Sequence, residues 1–80
     1  MDDTELIARI GSLVDEEHQL DQQIASGGAE PDVQDRLRSL EIALDQCWDL
    51  LRQRRARRAA GVDPDEASVR PPGTVEGYQQ

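Results

Sequence analysis

Eighty residues hold one domain at most, and a chain this short buries only about 60% of the surface that its unfolded form exposes. A net charge of −8, with all nine basic residues arginine, argues against a general binder of nucleic acid or of anionic membranes. Phe is absent, Trp48 and Tyr78 are the only aromatics and Cys47 is the only cysteine. The core is therefore expected to be aliphatic, and no intrachain disulfide can form.

The opening MDDTEL is acidic rather than basic-then-apolar, so no signal peptide is expected. No apolar run approaches the ~20 residues that span a bilayer. These features fit a reducing cytoplasm.

The first predicted element is a helix over residues 4–26. Leu6, Ile10, Leu13, Leu20 and Ile24 repeat at steps of four and three, with the polar Glu17 where one apolar residue is due. This is a heptad seam with one polar position, flanked by His18 and widened by Ile7 and Val14. Asp2, Asp3 and Thr4 offer capping oxygens, and Glu5 suits the positive end of the helix dipole. Gly11 is a weak spot on the outer face, costing up to ~1 kcal/mol relative to Ala. A turn is expected over 27–30, where Gly27 or Gly28 supplies the left-handed residue that ends the helix.

Pro31 opens the second predicted helix, over 31–60. Val33, Leu37, Leu40, Leu44, Cys47 and Leu51 form an unbroken stripe, with Ala43, Trp48 and Leu50 beside it. The helix ends in an arginine run over 52–58, followed by Gly61. Beyond it, Asp63-Pro64-Asp65-Glu66 reads as a cap and one helical turn. Arg70-Pro71-Pro72-Gly73 interrupts regular structure ahead of an extended tail.

A loop this short makes the helices antiparallel neighbours. Centring the turn near Gly28 sets Leu6 against Leu51, Ile10 against Cys47, Leu13 against Leu44, Leu20 against Leu37 and Ile24 against Val33. Only Glu17, opposite Leu40, breaks the apolar match, and Arg36 or Arg38 is expected to hold it. The same register brings Asp2, Asp3 and Glu5 beside Arg52, Arg54 and Arg55, and sets no cation near Cys47, which reads as an inert buried thiol. The expected fold is all-α: a coiled-coil-like antiparallel two-helix hairpin over 1–61, then a short helical turn and irregular tail over 62–80. The apolar stripe is too wide for one hairpin to cover. Either the tail folds back over it, or two hairpins pair as a homodimer in a four-helix bundle; the dimer is the preferred expectation.

The segments LVDEEHQL, RLRSLEIALDQCWDLLRQRRARR and the terminal VEGYQQ resemble domain-of-unknown-function family 2630, short proteins of high-GC Gram-positive bacteria. The resemblance spans nearly the whole chain and implies a fold but no activity. It includes His18, Asp45, Gln46, Trp48, Asp49, Arg52, Gln53, Arg54 and Arg55. It also includes Val75, Glu76, Gly77 and Tyr78, so the tail is expected to dock on the hairpin or on a partner.

The functional expectation is a non-enzymatic protein-interaction module that docks through Trp48, Arg52, Arg54, Arg55, Arg58, Val75 and Tyr78. A second reading is a nucleic-acid or ribosome-associated factor using the same arginines. It is weakened by the acid-arginine register and by the lack of interleaved aromatics. A third is a metal-binding bundle around Asp15, Glu17 and His18, because acid and histidine three apart on a helix can share a metal. The second helix offers no inward acid at that level, so no metal, cofactor or catalytic residue is assigned. Glu17 and His18 are expected as polar seam residues instead.

Overall fold

The computed structural model describes residues 1–28 and 30–75. Two long helices pack antiparallel, α1 over Asp3–Ala25 and α2 over Pro31–Ala59. A 3-10 turn over Pro64–Glu66 and a single helical turn, α3, over Pro72–Val75 follow. The assembly is elongated, 50 × 24 × 17 Å.

Each helix boundary has a local cause. The Asp2 carboxylate accepts the Glu5 N–H at 2.8 Å, so α1 starts one residue before the predicted start, with Asp3 and Glu5 in its first turn. At the far end Gly27 takes a φ of +92°. The Gly28 N–H then reaches Gln23 C=O at 2.8 Å and the Gly27 N–H reaches Ile24 C=O at 3.0 Å. That pair of bonds is the Schellman stop. The motif recurs after α2: Gly61 has a φ of +75°, Val62 N–H reaches Arg57 C=O at 2.9 Å and Gly61 N–H reaches Arg58 C=O at 3.1 Å. Both glycines sit where a side chain would clash with the backbone.

The core is one cluster of Leu6, Ile10 and Leu13 from α1 with Leu40, Leu44, Cys47, Leu50 and Leu51 from α2. Leu20, Ala43, Trp48 and Ala67 pack against it. At the turn end Leu20, Ile24, Val33 and Leu37 are only half-buried, because among the described residues two helices pack there without a third element. At the other end the chain after α2 turns back and runs antiparallel along it, and both the 3-10 turn and α3 contact α2. The tail thus covers one flank of the wide stripe. It contains a helical turn at Pro72–Val75 where an extended segment was expected, and Val75 is fully buried. Among the described residues no helix is long and apolar enough to cross a membrane.

Candidate functional site

The flank of α2 that receives the tail is polar by design of its spacing. Gln46, Asp49, Gln53 and Arg57 follow one another by three and four residues, so they share a line along the helix. Every one of them holds the tail. Gln46 donates to Arg70 C=O at 3.1 Å, Gln53 to Ser68 C=O at 3.0 Å, and Arg57 pairs with Glu66 at 3.4 Å. Asp49 lies at the centre with none of its surface exposed. Its carboxylate accepts Arg70 Nε at 2.8 Å, a second bond from Arg70 Nη2, and Gln53 Nε2 at 2.9 Å. The Arg70 hydrogen bonds hold the Asp49 carboxyl below its usual pKa, outweighing its burial. A buried carboxylate is tolerated because its oxygens are matched by a planar, two-pronged donor.

Arg54 performs the same service one turn further on. Its side chain is 7% exposed. Nε donates to Asp3 at 2.6 Å, while Nη1 reaches Asp65 at 2.9 Å and Pro64 C=O at 3.3 Å. Arg58 also binds Asp3, at 2.5 Å. These bonds push the Asp3 carboxyl below its usual pKa, that to Arg54 contributing most. Of the arginines expected to face a partner, Arg54 and Arg58 are therefore committed within the chain. Arg52 and Arg55 are exposed at the surface, and the charge of Arg52 helps to lower the Asp49 pKa.

The remaining sequence expectations divide. Val75 is buried in the described structure, whereas Tyr78 lies outside the described residues. Trp48 is half-buried against the core. Glu17 is half-buried in the seam and His18 is exposed, within 3.3 Å of Gln22 through its Nε2. The expected arginine partner of Glu17 goes elsewhere: Arg36 forms a forked pair with Glu16 at 2.6 and 2.9 Å. Glu16 lies on the tail-side flank of α1, level with the side from which Arg36 extends. Glu17 is left with burial and the nearby acids Asp21 and Glu41, which raise its pKa. Among the described residues no group of three or more His, Cys, Asp or Glu side chains is arranged to hold a metal.

Arg9 corrects the expectation for Cys47. It follows the tail-side edge of α1 and lies with Cys47, Leu6, Leu50 and Val69 in a cleft of about 150 Å³. Burial pushes the Cys47 thiol up, and the hydrogen-bonded Arg9 only partly offsets this. A protonated buried thiol is a poor nucleophile.

Among the described residues no element lies across the opposite face of the hairpin. Successive helix residues turn by about 100°. Residues 7, 11, 14 and 18 of α1 therefore line the side away from Arg9, and residues 41, 48 and 52 of α2 line the side away from Gln46. Ile7 is 54% and Val14 43% exposed. The polar ladder was legible as a spacing in the sequence, but without a periodic tail there was nothing to match it against.

The model of the family described as "Protein of unknown function (DUF2630)" matches residues 2–80. Uncharacterised proteins of Mycobacterium bovis and of two Mycobacterium tuberculosis strains are each 57% identical over 77 residues, covering 95% of this chain and 88% of theirs. No solved structure matches.

Proposed function

The chain belongs to the DUF2630 family, and we propose that it is a non-enzymatic, cytoplasmic protein-interaction module that docks through the hairpin face opposite its tail. One observation carries this reading. The tail is fastened along one flank of α2 by four successive polar side chains, while Ile7 and Val14 stay exposed on the other. A small protein with little core to spare leaves two β-branched residues in water on one strip. Trp48, half-buried between their levels, is the kind of anchor that dominates helix interfaces.

The arginines favour a protein partner over RNA. Arg54 and Arg58 are neutralised by Asp3 and Asp65, so few positive charges remain to release counterions from phosphates. A free, buried Cys47 suits a reducing compartment, and its raised pKa suits a structural rather than catalytic thiol.

The test is site-specific photo-crosslinking in the native host. A photoreactive residue at position 7 or 14 should give a discrete adduct, and Trp48→Ala should remove it. The same residue at position 19, on the exposed polar side of α1, should give none. Equal labelling from all three positions, or none from any, would refute an interaction face there.

A further inference from the structure

We infer that the occupant of the open face is a second copy of this chain, laid across it antiparallel about a two-fold axis that passes at the level of Gly11. This rests on the reading of that face as an interaction surface and names its partner.

Three features of the face fit one symmetry operation. Ile7 and Val14 sit equally far on either side of a point between Ile10 and Gly11 on α1. Glu41 and Arg52 sit equally far on either side of a point at Gln46 and Cys47 on α2. The register that sets Asp3 beside Arg54 puts those two points at the same height along the hairpin. A single two-fold axis there lays α1 over α1 and α2 over α2. Ile7 of one copy then covers Val14 of the other, and Arg52 of one copy meets Glu41 of the other, each contact occurring twice. The two apolar side chains that one hairpin leaves in water become mutually buried. The acid beside Glu17 and Asp21, whose repulsion is felt at Glu17, gains a positive neighbour.

Gly11 acquires a role in this arrangement. It stands in mid-helix, where glycine weakens α1, and a Cβ built on it would meet nothing within 4 Å. Nothing in the single hairpin requires glycine there. At the crossing point of two α1 helices its missing side chain lets the backbones approach. The size also suffices. Two helices some 35 Å long and about 20 Å wide together offer roughly 700 Å², close to the ~800 Å² per partner of a standard stable interface.

The experiment is sedimentation equilibrium of the full chain between 1 and 200 µM (a range chosen for roughly micromolar association). The wild-type protein should be a dimer across the upper part of that range. Gly11→Leu should weaken association while leaving the far-ultraviolet helix signal unchanged. Glu41→Arg and Arg52→Glu should each weaken it, roughly tenfold or more, by setting like charges together twice per dimer. Combining both substitutions in one chain should restore dimerisation, because the pair is then present in reverse. A monomer at 200 µM, a dimer indifferent to Gly11→Leu, or a double variant no better than the singles overturns the proposal. A monomeric chain that still yields the discrete adduct from position 14 overturns self-pairing alone and leaves the broader interaction reading standing.

Discussion

Arg70→Ala removes both hydrogen bonds that the tail's guanidinium makes to Asp49. The carboxylate is fully covered and keeps the Gln53 hydrogen bond and the nearby charge of Arg52. Breaking one side of a buried pair costs about 3–5 kcal/mol where the abandoned charge stays dry. Arg70 is itself 44% exposed, so water can enter its place, and the expected loss falls to about 2 kcal/mol. For a chain of this size that lowers the melting temperature by roughly 8–16 °C. The pH dependence has a definite sign. The folded-state pKa of Asp49 is depressed, so its contribution is present above the unfolded value near 3.9 and is lost as pH falls through the folded one. The gap between variant and wild type should therefore be widest at pH 7 and shrink towards pH 3. Urea unfolding followed at 222 nm across that range measures it, and amide exchange over residues 62–75 should accelerate in the variant. A melting temperature within 2 °C of wild type (a shift of about 0.5 kcal/mol or less) would refute the claim that this pair fastens the tail.

Three further outcomes follow from the geometry. Glu17→Gln should stabilise the protein at pH 7 and not at pH 3, because burial and neighbouring acids raise the folded pKa and wild-type stability is lost as pH rises through it; urea midpoints at the two pH values decide. Arg54→Ala should lower the melting temperature clearly more than Arg55→Ala, since Arg54 is bonded to Asp3, Asp65 and Pro64 while Arg55 lies on the surface; calorimetry of the pair compares them. Gly61→Ala should cost about 1 kcal/mol, the strain of a left-handed φ of +75° on an L-residue, readable in the same unfolding assay.

The hairpin was legible because two periodic stripes had to agree with each other. Their register foretold the Asp3–Arg54 pair across fifty residues of intervening chain, and the helix ends fell within one residue of Asp3–Ala25 and Pro31–Ala59. The tail was not legible, because nothing periodic specifies it. Its path is set by single hydrogen bonds, several of them to main-chain carbonyls of Pro64, Ser68 and Arg70, which any sequence would present. Asp49 illustrates the difficulty: an aspartate in the middle of a highly charged helix reads as solvated, and Arg70, met 21 positions later, makes it a buried centre. Glu16 and Glu17 illustrate another. One residue of rotation decides which carboxylate Arg36 can reach, and a seam read from spacing does not resolve the flank from which a long side chain extends. The open face followed from Ile7 and Val14 as flanking residues, but the side on which they would stay bare depended on where the tail lay.

Arg54 has a consequence for the order in which this molecule assembles. One guanidinium is shared by residue 3, residue 54 and residue 65, so it is fully matched only after three distant stretches of chain have met. The hairpin turn can close early, because its contacts are nearest in sequence. The knot of charge at the other end ties the beginning of α1 to the returning tail. Loosening either stretch leaves the same cation half-satisfied, so each reports on the integrity of the other. A cut or fusion near residue 65 should then be felt at residue 3 as fraying of α1, at a site that shares no neighbouring sequence with it.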